Sequence, residues 1–573
     1  MIKEKIKKII DKQFDCAHCK QLPEGVEAEV STVENLAFGH YSTNVAMRLA
    51  KDLGRNPQEV GLELAAKIRE AAPKNLFEKV EVAGPGFINF FLSAKTLQAE
   101  LSEIYKNRKD YGNINVGKGK KVIVEYSQPN IAKKMHVGHL RSTIIGDSLA
   151  NIFEACGYKV VRWNYLGDWG TQFGKLIYAY KQWGNKAAVK KNPIEELLRL
   201  YVYFHDQVKT DATLGDRGRE EFKKLEDGDR ENRALWKWFR EESLKEFKKI
   251  YKTLGINFDV WIGESAYEKQ MAPIISELKK KGLAKESEGA LVVDLTEENL
   301  PVALVAKSDG ASLYLTRDLA SARDRNKKYK PQQIIYVVAN EQTLHFEQMF
   351  AVAKKIGVGS ADLKHAKFGL VLGEDRKKLS TREGRAIQLE ELISKILVLA
   401  EAAIDKKSSG LSAAKKRKIA HAVGIGALKY NDLKENRNSD IVFDWERMLD
   451  FSGNSAPYLQ YTRARLNRII KKAGKVYEVD FKVLNGEAEF GLIKKLLDFP
   501  EEIKKSAETL YTNNLATYIF SLAVLANKFY ETTPILKEES KAKRAAYLAL
   551  ISCVSEVIKR GLNLLGIESP EEI

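Results

Sequence analysis

The sequence predicts an α/β protein: a doubly wound, Rossmann-like parallel sheet, preceded by a small α/β domain and followed by an all-α helical bundle. Three observations lead there. A chain of 573 residues exceeds what one hydrophobic core ordinarily organises. Residues 116–410 alternate short β-type runs with helix-period stretches, the pattern of βαβ units. Residues 411–573 are mostly helical in period and basic, as in a helical bundle.

Within residues 1–115 the start, Met1 to Ile10, is an amphipathic helix pattern. Helices near 43–53 and 57–71 and a strand pair within Val80–Phe91 follow. The start lacks the continuous apolar core and cleavage site of a signal peptide. No apolar run is long enough to span a bilayer, and four cysteines fit a reducing compartment, so the expectation is a cytoplasmic protein without a membrane partner. Cys16-Ala17-His18-Cys19 would be half of a zinc site, but Cys156 and Cys553 are isolated, and no protein-bound metal is expected. The net charge of +17 favours a polyanionic partner, although lysine-rich surfaces also serve solubility.

The segment 120–174 organises the rest. A strand, Lys121 to Ser127, is followed by a turn, Gln128 to Met135, and then by His136-Val137-Gly138-His139, which opens a helix. Gly157 is the natural stop, and a second strand, Lys159 to Tyr165, feeds a second helix through Gly167-Asp168-Trp169-Gly170. A helix N-terminus after a strand presents backbone N–H groups and the positive dipole end, a phosphate site, with two histidines three apart at the same point. As a metal pair, His136 and His139 would need further ligands, and no other His or Cys is near in sequence. Gly112-x-x-x-x-Gly117-Lys118 mimics a P-loop, but Gly119 replaces Ser or Thr and a strand follows instead of preceding it. Residues 186–255 read as a helical, charge-rich insertion, Val302–Leu315 as a hairpin around Ser308-Asp309-Gly310, and Lys406–Gly410 as a linker. Tyr314 to Asp318 starts a helix, and a strand ending at Ala339 leads through Asn340–Phe346 into another.

Pro129-Asn130 through His139, Leu140-Arg141-Ser142-Thr143, and Gly167 to Gly174 closely resemble the class I signature region of arginyl-tRNA synthetases. Lys378-Leu379-Ser380-Thr381-Arg382-Glu383-Gly384 resembles that family's second signature loop, and Ser452 to Arg465 a motif of its last domain. The resemblance implies that arginine and ATP, with Mg2+, give arginyl-adenylate, and that the arginyl group passes to the 3′-terminal adenosine of tRNA(Arg). It implies catalytic roles for Lys133, His136 and His139, and an ATP site of His136, Gly138, His139, Lys378 and Ser380. The arginine site it implies is Glu125, Ser127, Asn130, His139, Tyr314, Asp318 and Gln342, where a guanidinium fork meets carboxylates. Asn44, with Phe38 and Tyr41, matches the N-terminal additional domain that contacts the outer corner of the tRNA; buried aromatics beside a helix cap are the other reading. Tyr458, Tyr461 and Arg465, with Arg463, suit an anticodon loop, while a Tyr pair at this spacing also packs cores. A monomer is expected.

Four features depart from the pattern. Thr381 stands where class I loops generally have a second lysine, a position Lys133 resembles the replacement for. Glu383 replaces a common lysine, Tyr165 a common histidine, and the chain ends without the family's Arg-Met finish. The rival readings are a class I synthetase for another amino acid, which should lack the Glu125/Asp318 pair, and a catalytically silent RNA-binding relative.

Overall fold

The computed structural model describes residues 1–13, 28–33, 35–306, 314–373, 387–407, 410–474 and 478–573. Its N-terminal part is a four-stranded antiparallel sheet in the order Val30–Thr32, Tyr41–Thr43, Phe87–Leu92, Phe77–Ala83, packed by helices Val45–Leu53 and Pro57–Ala71. Gly39 is required in its turn: its φ is +92°, and a Cβ there would stand 2.9 Å from the Phe90 carbonyl oxygen.

The centre is a five-stranded parallel sheet, β5–β4–β1–β2–β3 in space. Its strands are β1 (Lys121–Glu125), β2 (Lys159–Leu166), β3 (Val260–Gly263), β4 (Gln333–Tyr336) and β5 (Asp362–His365). Val122, Ile123 and Val124 are wholly buried, as a strand covered on both faces requires. The strand order reverses beside β1, and a crevice at the carboxyl ends of β1 and β4 is where such sheets hold ligands.

Helix α1 (Val137–Ala155) follows β1 and is buried almost all round, polar residues Arg141, Ser142, Thr143, Asp147 and Ser148 included. Gly146 lets it press on the sheet, since a Cβ would lie 2.2 Å from the Tyr126 ring. Between β2 and β3 come helices at Lys186–Lys191, Pro193–Thr210 and Thr213–Asp227, then α2 (Arg230–Leu254). Later helices beside the sheet include α3 (Tyr314–Tyr329) and α4 (Thr343–Ile356).

The hairpin expected at Val302–Leu315 is corrected. Ala303–Ala306 is a strand, but it pairs with Ala290–Val293, which pairs with Ala284–Ser287 in a separate antiparallel sheet. Tyr314 and Leu315 already belong to α3, because Thr316 Oγ1 donates back to the Val305 carbonyl and brings the helix start against the strand. Ser308-Asp309-Gly310 lies outside the described residues.

The last part is helical: α5 (Ala413–Leu433), α6 (Ala456–Ala473), α7 (Glu487–Thr509) and the helices Thr512–Thr532 and Lys541–Leu564. It is tied to the catalytic part by buried charge. Arg141 forms a bidentate pair with Asp432, at 2.9 and 3.1 Å, and donates to the carbonyls of Leu370 and Ser439. A short parallel ladder, Val371–Leu372 on Ile441–Val442, runs beside it. Farther along α1, buried Lys429 reaches the Gly566 carbonyl at 2.6 Å and pulls against the buried carboxyl of Asp147. Among the described residues no helix is long and apolar enough to cross a membrane.

Candidate active site

The β1 carboxyl end enters an unusual turn. Ser127 (φ +77°), Gln128 (φ +52°) and Ala132 (φ +59°) all adopt left-handed backbone, uncommon for residues with side chains and concentrated at functional sites. Hydrogen bonds hold this turn. The Ser127 N–H donates to Ser142 Oγ at 2.9 Å, Thr143 Oγ1 to Ser127 Oγ at 2.8 Å, and the Ala132 N–H to Ser243 Oγ at 2.9 Å. Ser127 is therefore buried in the turn's own network, with Tyr251 hydroxyl 2.6 Å away. Asn130 is exposed, and Gly167 on the neighbouring loop has no room for a Cβ, which would fall 2.0 Å from Asn130 Oδ1.

His136 and His139 cap α1 reciprocally. The Gly138 N–H donates to His136 Nδ1 at 3.1 Å, and the His136 N–H donates to His139 Nδ1 at 3.0 Å. Because both Nδ1 atoms accept, the rings carry their protons on Nε2, and the two rings lie side by side with centres 4.0 Å apart. Burial, and then His136, push the His139 imidazole down to about 3, so it is neutral at physiological pH. One expectation is corrected here. The backbone N–H groups of Val137, Gly138 and His139 are not free: they donate to Ile387 O, His136 Nδ1 and His136 O. An anion at this helix end would be met by imidazole Nε2–H and the helix dipole instead.

Lys133 is exposed, with Nζ 5.7 Å from the centre of the Tyr201 ring, and Lys134 lies 3.4 Å from Glu195. Both partners sit on the helix Pro193–Thr210. Lys378, Ser380, Thr381 and Glu383 lie outside the described residues, as do Cys16, His18 and Cys19.

The acidic part of the crevice has a closed and an open half. In the closed half, buried Glu125 pairs with Arg325 and accepts from Gln128 Nε2 at 2.6 Å. The Arg325 guanidinium is boxed by Trp163 at 4.4 Å, Tyr165 at 5.5 Å and Tyr336 at 5.7 Å. Burial raises the Glu125 carboxyl, and Arg325 works against that rise. In the open half, Asp318 on α3 meets His345 Nε2 at 2.7 Å, and Glu264, just after β3, meets Arg317 at 3.1 Å. Burial above all, and also Asp318 and Asp168, raise the Glu264 carboxyl to about 7 despite Arg317. Tyr314 and Gln342 are exposed at the rim.

Sequence reasoning missed Glu264, Arg325, His345 and the part played by Asp168. Asp168 accepts from the Ser265 N–H at 2.9 Å and from Arg240 Nε of α2 at 3.0 Å, which fixes the turn carrying Glu264. Gly263 must be glycine, since a Cβ would fall 2.1 Å from Asp168 Oδ2. A carboxylate placed directly after a strand was the available signal for Glu264.

In the helical part, Tyr461 and Arg465 line a groove of about 720 Å3 with Arg468, Lys472 and Tyr530. The Arg465 guanidinium lies 5.0 Å from the Tyr461 ring and 5.6 Å from Tyr530. Tyr458 packs 5.5 Å from Phe520 and accepts from Asn527 Nδ2 at 2.8 Å, an inward-facing role. Arg463 is corrected: it is buried, and donates to the carbonyls of Ser569 and Pro570 at 2.7 and 3.0 Å. In the N-terminal part Phe38 is exposed, Asn44 stands at the start of helix Val45–Leu53, and Tyr41 is buried with Lys494 4.6 Å over its ring. Tyr41 is thus a core aromatic and not a stacking surface.

Family models match three stretches of the chain. Residues 1–92 match the arginyl tRNA synthetase N terminal domain, 100–445 the catalytic domain of class I (R) tRNA synthetases, and 459–573 the DALR anticodon binding domain. An arginine–tRNA ligase of Lactobacillus johnsonii is 42% identical over 574 residues, covering 100% of both chains. That of Enterococcus faecalis is 44% identical over 531 residues, covering 92% of each. Among solved structures, arginyl-tRNA synthetase from Plasmodium falciparum is 28% identical with a TM-score of 0.83, covering 100% of this chain and 99% of the other. The fold also matches Thermus thermophilus arginyl-tRNA synthetase, with a TM-score of 0.84 at 23% identity over the full length of both. The chain belongs to the arginyl-tRNA synthetases, class I ligases that use ATP to join arginine to its tRNA.

Proposed function

We propose that the crevice divides the reaction between two groups of side chains. The observation that carries this is the placement of the paired imidazole donors and the Asp318/Glu264 carboxylates at the carboxyl edge of one parallel sheet. ATP arrives as its magnesium complex, the cation riding on the phosphates as part of the substrate. The arginine carboxylate attacks the α-phosphorus, the bond to pyrophosphate breaks, and arginyl-adenylate remains. His136 and His139 donate through Nε2–H to phosphate oxygens as negative charge develops on them. Lys133, swung from Tyr201, adds a cation there, and Lys378 and Ser380 contribute from their loop. The terminal adenosine hydroxyl of tRNA(Arg) then attacks the adenylate carbonyl, and AMP leaves.

Asp318 and Glu264 hold the substrate guanidinium, with Tyr314 and Gln342 at the rim and Asn130 and His139 on the α-amino and carboxylate side. Glu125 and Ser127 belong to the same pocket from behind: Glu125 sets its negative potential while held by Arg325, and Ser127 fixes the turn. Asn44, Tyr458, Tyr461 and Arg465 serve the tRNA, Tyr461 and Arg465 by direct contact in the groove. The enzyme acts as a monomer in the cytoplasm; sedimentation equilibrium tests the former.

The deciding measurement is Asp318→Asn, which keeps size and removes charge. Losing one charged hydrogen bond, about 1.5–3 kcal/mol, should raise KM for arginine by about tenfold to a hundredfold and leave KM for ATP unchanged. Equal changes in both would mean that Asp318 is structural. Lys133→Ala should slow arginine activation by about two orders of magnitude or more, with Lys134→Ala far milder; a near-normal Lys133→Ala rate would remove it from the phosphate site.

A further inference from the structure

The contact between His345 and Asp318 supports one more step, which rests on the assignment of Asp318 to the arginine pocket. The two side chains come from different elements, α4 and α3, and meet through Nε2 and Oδ2 at 2.7 Å. Both stay about a quarter exposed, 24% and 22%, so they meet in the open crevice and not in the core. The imidazole is braced from behind. It lies edge-on to Phe346 at 5.3 Å, and Phe346 in turn packs on His365 at 4.5 Å. His365 is held by its own contact with the Val338 carbonyl at 3.0 Å.

A carboxylate left alone rotates about its Cβ–Cγ bond and offers a guanidinium either oxygen or both. Here one oxygen is taken. We propose that His345 is a positioning residue for amino-acid recognition: it pins Oδ2 of Asp318 so that Oδ1 alone is presented to the substrate guanidinium, and Glu264 supplies the second acceptor. The pocket then reads the guanidinium fork with one oxygen from each of two carboxylates, instead of with both oxygens of one. Fixing Asp318 before the substrate arrives removes the ordering cost from the binding step. An imidazole needs no permanent charge to donate through a ring N–H, so it can hold Asp318 without the cancelling charge that a lysine or arginine at this place would bring.

The test is a double-mutant cycle on full-length enzyme, reading KM for arginine and for ATP in aminoacylation, with thermal unfolding alongside. His345→Ala should raise KM for arginine about tenfold, with KM for ATP and the melting temperature nearly unchanged. His345→Gln, which restores a donor, should recover most of the loss. In the Asp318→Asn background, His345→Ala should have no further effect on arginine. A His345→Ala enzyme within twofold of wild type for arginine overturns the proposal, and a large Asp318→Asn effect in the same experiment leaves the pocket assignment standing. An equal His345→Ala effect with and without the Asp318 charge also overturns it, because the residue would then act independently of Asp318. No effect of Asp318→Asn fails the pocket assignment and this proposal together. Should His345→Ala fold poorly, His345→Phe keeps the ring packing without the donor, and the same cycle decides.

Discussion

Glu264 is the residue through which pH should reach the arginine pocket. Burial lifts its carboxyl to about 7, whereas the substrate guanidinium stays charged over the whole working range. The pocket therefore gains a negative charge as pH rises from 6 to 8, and KM for arginine should fall across that interval. Glu264→Gln should flatten the profile and raise KM most at pH 8; a wild-type profile that is already flat would count against Glu264 as a ligand. The same shift acts oppositely on folding. The native state holds this proton more tightly than the unfolded chain, so its contribution is full below about 4.5 and lost as pH rises through 7. His139 runs the other way. Its depressed value makes its contribution full above 6.5 and lost as pH falls toward 3, and its ring resonances should not titrate between pH 8 and 5. At this scale the sequence was informative where partners are close in the chain. His136 and His139 are three apart, and their mutual capping follows from that spacing. Arg325 meets Glu125 across 200 residues and His345 meets Asp318 across 27, and neither a turn signal nor a period links them.

Helix α1 carries the proposed phosphate contacts at one end and assembly along the rest, which accounts for its burial on almost all sides. Its start and stop were legible from His136 and Gly157, because caps are local. Its polar residues were not, since Arg141 answers Asp432, Asp147 answers Lys429 and Ser148 answers the Leu564 carbonyl, all supplied by the helical part. Asp432→Ala should cost about 3–5 kcal/mol, because it strands a buried guanidinium. Chemical denaturation would measure it, and a loss under 1 kcal/mol would show that the carbonyls of Leu370 and Ser439 alone satisfy Arg141. The antiparallel sheet around Ala284–Ala306 escaped for the reason register often does: alternation within a strand does not say which neighbour it pairs with.

Over the whole molecule, a net charge of +17 and the arginine- and lysine-lined groove predict tRNA binding that weakens steeply with salt. Arg468→Ala should lower the slope of log affinity against log salt by about 0.7–0.9. Tyr461→Ala should weaken binding by about 1–3 kcal/mol if a base stacks there, and should leave the slope unchanged. A slope unaffected by Arg468→Ala would place the phosphates elsewhere. Alternation of strands and helices announced the parallel sheet, yet it concealed how the parts are joined. The ladder of Val371–Leu372 on Ile441–Val442 joins a strand before residue 410 to one after it, with Arg141 bonded to the carbonyls of Leu370 and Ser439 on the two sides. Gln388 forms an antiparallel β-bridge with His136 itself. As interchangeable modules, then, the two halves are poorly chosen pieces. A chimera spliced between relatives near residue 410 would pair two strands of different parentage, and recombination should succeed only when residues 371–372 and 441–442 are inherited together.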